Sequence, residues 1–66
     1  MMLKKMSPGM TVFDVKKATG SVWPVKIKEI DLENERVFAS WNGNEPEWFA
    51  RKVWSKWRLK RPQIEI

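Results

Sequence analysis

The chain contains no cysteine and no histidine, and only three glycines among its 66 residues. The lack of cysteine excludes a disulfide framework. With histidine missing as well, a zinc-stapled mini-domain is excluded, and carboxylates and hydroxyls are the only metal-ligating groups left. The glycines (Gly9, Gly20 and Gly43) stand apart, so there is no glycine-rich phosphate loop. Acid–base work near neutral pH most often uses histidine, and nucleophilic catalysis usually needs Ser or Cys beside a base. Asp14 and Asp31 lie far apart in sequence. Glu45 and Glu47 flank Pro46 in what reads as a turn, a solvated acidic loop rather than a catalytic dyad. The expectation is a binding module without cofactor, not an enzyme. No run approaches the ~20 apolar residues of a spanning helix. The start, Met1-Met2-Leu3-Lys4-Lys5-Met6, has charge but no following apolar run of signal-peptide length. The expectation is therefore a cytoplasmic chain that does not engage membrane.

Aromatic bulk and positive charge are plentiful. A domain of about this size buries only roughly 60% of the surface its unfolded chain exposes, so its core must be built from large side chains. Five Trp and three Phe supply them, each able to bury roughly 150–250 Å². Thirteen Lys and Arg stand against eight Asp and Glu, a net charge of +5. The distribution is polarised: Arg51 to Arg61 carries six positive charges and no negative one, whereas Glu29 to Glu47 carries six acids against Arg36 alone. Such a balance suits nucleic acid or an acidic partner and says nothing about fold.

Ser7-Pro8-Gly9 is a turn signal that sets off a short basic tail, residues 1–9. Met10–Lys16 is rich in β-branched and aromatic residues and reads as a first strand. In Val22–Lys28, Trp23, Val25 and Ile27 fall on one face and Lys26 and Lys28 on the other. Pro24 cannot donate to a ladder and belongs at a strand start or edge. The alternation slips at Glu29-Ile30, which predicts a bulge or bend. Asp31–Glu35 reads as a polar connection and Arg36–Trp41 as a third strand, with Val37, Ala39 and Trp41 on one face. Asn42-Gly43-Asn44 is the strongest hairpin signal, because Asn-Gly readily takes positive φ. Residues 45–61 are ambiguous. Phe49, Ala50, Val53, Trp54 and Trp57 make a helical apolar stripe, so the reading is a short strand at Glu47–Phe49 and a helical turn near residues 51–57. A last strand follows at Arg58–Leu59 or at Gln63–Ile66.

This order of elements resembles the small SH3-like barrels of the Tudor and chromo-barrel type. The resemblance rests on Trp23-Pro24-Val25-Lys26-Ile27-Lys28-Glu29-Ile30-Asp31, then Arg36-Val37-Phe38-Ala39-Ser40-Trp41-Asn42-Gly43, then Glu47-Trp48-Phe49. It covers roughly residues 10 to 60 and extends to short bacterial and bacteriophage proteins of unassigned role. It implies an all-β fold, a single barrel of about five antiparallel strands over residues 10–61, with 62–66 as a tail or closing strand.

Two candidate sites follow. The first is the basic segment Arg51, Lys52, Lys56, Arg58, Lys60 and Arg61 with Trp54 and Trp57. Clustered cations release counterions from a phosphate backbone, and the rings are candidates for stacking on unpaired bases. The bland reading is a solvated basic face with Trp54 and Trp57 turned inward. The second is an aromatic cage, which the resemblance implies: Trp23, Trp41, Trp48 and Phe49 around a cationic group, with Glu45 or Glu47 as counter-charge. The bland reading there is core packing of Trp23 and Trp41 beside Val25, Ile27 and Val37. Nucleic acid is the leading partner expected, and a protein or peptide the alternative. The expected state is a monomer, or a weak self-associate through the acidic hairpin of one copy and the basic segment of another.

Overall fold

The computed structural model describes residues 2–60. Four strands are present, β1 (Thr11–Lys16), β2 (Ser21–Asp31), β3 (Arg36–Trp41) and β4 (Glu47–Phe49), preceded by a 3-10 turn at Leu3–Lys5 and followed by a short helix, α1 (Arg51–Trp54). They form one antiparallel sheet in the order β1-β2-β3-β4. Each strand is therefore next to its sequence neighbour, the meander that short polar connections dictate.

The register explains which residues meet. Val12 pairs with Val25, and Val25 with Trp41. Ile27 pairs with Ala39, and Val37 with Phe49. Because side chains alternate across a strand, these pairs share one face, and Val12, Val25, Ile27, Val37 and Ala39 are fully buried there. The phase slip read at Glu29-Ile30 is present as a register shift between Ile27 and Glu29. The shift keeps Ile30 on the core side, opposite Val37. At the β3–β4 turn Asn42 and Gly43 have φ of 52° and 77°, and the Asn44 amide donates to the Trp41 carbonyl at 3.0 Å. Asn and Gly tolerate that left-handed backbone better than other residues.

The ambiguous segment resolves as β4 followed by a single helical turn. Val53 packs against the core, and Trp54 and Trp57 are buried in it. The Trp54 indole donates to the Glu35 carbonyl at 2.8 Å, tying α1 to the β2–β3 connection. Phe49 meets Trp57 edge-on, with ring centroids 5.2 Å apart. Beyond the helix, Phe13 and Arg58 exchange two backbone hydrogen bonds of 2.8 and 2.7 Å, so residue 58 pairs with the edge of β1 that β2 leaves open. Of the two positions expected for a last strand, Arg58–Leu59 therefore contains an isolated bridge, and Gln63–Ile66 lies outside the described residues.

Packing begins ahead of Met10. Met6 is buried and Leu3 rests against the core. The Gly9 amide donates to the Ile27 carbonyl at 2.9 Å, and the Ile27 amide to the Met10 carbonyl at 2.8 Å. The stretch expected as a basic tail is thus an apolar plug in its Leu3 and Met6 positions, with Lys4 and Lys5 outside. No helix among the described residues is long and apolar enough to cross a membrane.

Candidate nucleic-acid interface

The cations of the basic segment do not act as one block. Arg51 reaches back to Glu35 at 3.5 Å, an exposed ion pair of a kind worth less than about 1 kcal/mol. Lys52 is exposed on α1. Lys56 and Arg58 instead line a groove of about 630 Å³ together with Val15, Lys17, Ser55 and Trp57. Among the described residues its titratable lining groups are Lys17, Lys56 and Arg58, three cations and no carboxylate. The Phe13–Arg58 bridge makes this possible, because it lays the chain after α1 along β1 and brings Lys56 and Arg58 beside Lys17 at the start of the β1–β2 turn. Lys60 is exposed just beyond it, and Arg61 lies outside the described residues.

Trp54 and Trp57 were expected as stacking rings, and their placement corrects that expectation. They are 3% and 2% exposed and belong to the core. Period-3.6 spacing turns Val53, Trp54 and Trp57 inward while Arg51, Lys52, Lys56 and Arg58 stay in solvent. A ring enclosed on both faces cannot stack on a base. The indole N–H groups of Trp57 and Trp23 are buried without an acceptor among the described residues, each at a cost of about 1–3 kcal/mol.

The expected aromatic cage is divided by the pleat. Phe38 pairs with Trp48, and Ala39 with Glu47, so Trp48 points to the outer face and Glu47 to the inner side. Trp48 lies against Phe38 with centroids 5.1 Å apart, away from Trp41. The other members do converge. Trp41, Glu45, Glu47 and Phe49 line a hollow of about 180 Å³ with Asp14, Asn44 and Val53. Trp23 backs it, its ring 5.1 Å from that of Trp41 and tilted by 37°. The Trp41 indole donates to the Asp14 carboxylate at 2.9 Å, which fixes the ring at the rim. Three carboxylates and an indole line this hollow, so its lining is acidic where that of the groove is basic.

Lys17 and Asp14 were missed by sequence reasoning. A signal for Asp14 was available, since it occupies the inward phase of β1 two residues after Val12, where a polar group needs a partner. Lys17 carried only its charge and its place beside a turn. Among the described residues, no group of three or more Asp and Glu is placed to hold a metal ion. Asp31 has a perturbed carboxyl group. Side-chain and backbone hydrogen bonds from Asn34, at 2.9 and 3.1 Å, hold it below the ordinary carboxylate range, and the charge of Arg36 adds to them. Its setting is the β2–β3 connection, apart from both hollows. No protein-family model, curated protein or solved structure matches this chain.

Proposed function

We propose that this protein is a small non-enzymatic module of the SH3-like, Tudor or chromo-barrel type that binds nucleic acid through its phosphates, along the groove between Lys17, Lys56 and Arg58. The observation that carries the reading is the convergence of three cations from two distant chain segments on one groove with no acid in its lining among the described residues. Cations that neutralise phosphates release counterions, and that release drives binding. The strand meander, the bulge after Ile27, the single helical turn and the Phe13–Arg58 bridge support the barrel reading, in which the chain after α1 serves as the fifth strand. No helix among the described residues is long enough to read a major groove, which favours backbone contacts with limited sequence preference.

The test is a titration with short single- and double-stranded DNA and RNA at about 50 and 200 mM salt. If three phosphates are neutralised, duplex affinity falls about 40-fold across that range. The variant Lys17→Glu/Lys56→Glu/Arg58→Glu loses binding to every nucleic acid while its circular dichroism and melting temperature stay close to those of the parent. Binding that survives the triple reversal, or none to any nucleic acid at low salt, rejects the groove.

A second reading has its own observation. Trp41, Phe49, Asp14, Glu45 and Glu47 line the smaller hollow, which suits a basic side chain of a partner protein or peptide. That adaptor role becomes the first choice if the groove fails, and a Lys- or Arg-containing peptide whose binding is lost in Glu45→Gln/Glu47→Gln is its test.

A further inference from the structure

The pairing of β1 with the chain after α1 stops at one residue pair. Phe13 and Arg58 exchange both of their backbone hydrogen bonds, so the polar groups of Phe13 point away from β2. Pro24, across from Phe13 on β2, has no N–H to offer it. Along an antiparallel strand these directions alternate, and the register of β1 with β2 is unbroken from Thr11 to Lys16. The N–H and C=O of Val15 therefore point the same way as those of Phe13, toward the chain after α1. Continued antiparallel pairing would set Val15 opposite Lys56, but the Lys56 amide donates to the Val53 carbonyl at 3.2 Å and closes the turn at the end of α1. Among the described residues, no backbone hydrogen bond from outside the sheet reaches Val15. The two segments part there, and the gap between them is the groove that Val15 lines with Lys17, Lys56 and Arg58.

We infer that this open edge of β1 is the base-reading part of the groove: the Val15 N–H and C=O hydrogen-bond the edge of an unpaired base whose neighbouring phosphates are held by Lys17, Lys56 and Arg58. The inference rests on the nucleic-acid reading and narrows it to single strands. Cations alone hold any polyanion. A strand edge adds a donor and an acceptor side by side, and phosphate oxygens, which only accept, cannot satisfy both. The Watson–Crick edge of an unpaired base presents both kinds of group, whereas in a duplex that edge is spent on the opposite base. A peptide strand would also match the edge, but the three cations in the lining select a chain that carries a negative charge at every unit. Nucleic acid does so, and an ordinary peptide does not.

The experiment measures the affinity of the full chain for three probes of equal length: a single-stranded oligothymidylate, the same backbone with abasic sites, and a duplex. Val15→Pro removes the N–H at an edge position that the ladder with β2 does not use, where a strand tolerates proline. Val15→Ala keeps both backbone groups. The parent is expected to prefer oligothymidylate to the abasic strand. Val15→Pro should lose roughly 2- to 15-fold on oligothymidylate, with little change on the abasic strand or duplex, and Val15→Ala should bind as the parent does. The salt slope on oligothymidylate should be unchanged in Val15→Pro, because a neutral donor releases no counterion, and flatter in Lys17→Gln. In the isotope-labelled parent, the Val15 amide proton should shift with oligothymidylate and not with the abasic strand, a readout that needs no variant to fold. Equal affinity of the parent for those two strands, or a Val15 amide that oligothymidylate leaves unmoved, overturns the base-reading edge and leaves the groove intact. A glutamate-rich peptide that shifts the Val15 amide and displaces oligothymidylate overturns it in favour of strand addition by a protein. Failure of the parent to bind any probe overturns both the edge and the groove.

Discussion

The two hollows lie on either side of one stretch of β1, and they are opposite in charge. Asp14 faces the inner side and lines the smaller, acidic hollow with Trp41. Val15, the next residue, lines the larger groove with Lys17, Lys56 and Arg58. Successive side chains of the strand reach different hollows because the pleat sends them to opposite faces. The fold, not position along the sequence, therefore sets the charge around each hollow. Charge counted in blocks along the chain suggests something else, an acidic middle and a basic end. In the fold, Arg51 and Arg36 of the supposed blocks are spent on Glu35 and Asp31, and Asp14 from the basic first third joins the acids.

The largest way to break the comparison is to disrupt the core of the sheet that carries both hollows. Val37 and Ile27 are fully buried. Replacing either by Asp places an unpaired charge in the core at a cost of several kcal/mol, against a total stability of about 5 kcal/mol or less for a domain this small. Circular dichroism and chemical denaturation should show an unfolded chain, with the binding proposed for each hollow lost together.

A smaller change should separate the hollows. Asp14→Val leaves the Trp41 indole without its acceptor and should lower stability by about 1–3 kcal/mol. Asp14→Asn retains an oxygen acceptor and should cost less, as denaturant titration would measure. Peptide binding at the acidic hollow should weaken in both, while nucleic-acid affinity at the groove holds or rises slightly as a nearby negative charge is removed.

The smallest expected effect comes from Asp31, outside both hollows. Its folded carboxyl is held below the ordinary range by Asn34 and Arg36. Its contribution is therefore fully present above the unfolded pKa, near 3.9, and is lost as pH falls through the lower folded value. Melting curves from pH 6 to pH 2 should show a slightly shallower acid decline for Asp31→Asn than for the parent, with the groove unaltered at neutral pH.

These contrasts show where the sequence was informative. Arg36–Trp41 and Glu47–Phe49 have the bounds read from alternation and turn chemistry. The bulge was visible because a period of two that slips by one must either bury a charge or break register. The Trp54 and Trp57 stripe was also visible, but its direction depended on a choice between core and ligand that periodicity cannot make. Energetics decided it: with Met6, Val12 and their neighbours alone the core would lack bulk, and two indoles fill it. The groove was only half legible. Lys56 and Arg58 stood out as part of a charge run, whereas Lys17 joins them only through the pairing of Phe13 with Arg58. Trp48 was grouped with Trp41 by the resemblance, and the one-residue phase difference between their strand positions sends them to opposite faces.

The Phe13–Arg58 bridge has a further consequence for the order of assembly. The β1-β2-β3-β4 meander forms through pairings between neighbours along the chain, which close early and at low entropic cost. The bridge joins the first strand to the chain after the helix, so it is the least local strand pairing among the described residues and the last to be rewarded. The groove exists only once that joint has closed. Any ligand held by Lys17 from one side and by Lys56 and Arg58 from the other binds the closed form alone, and by mass action it adds its own binding energy to the joint. Amide exchange at Phe13 and Arg58 would then slow in proportion to occupancy, making the clasp between the two ends of the fold a direct gauge of how much ligand it holds.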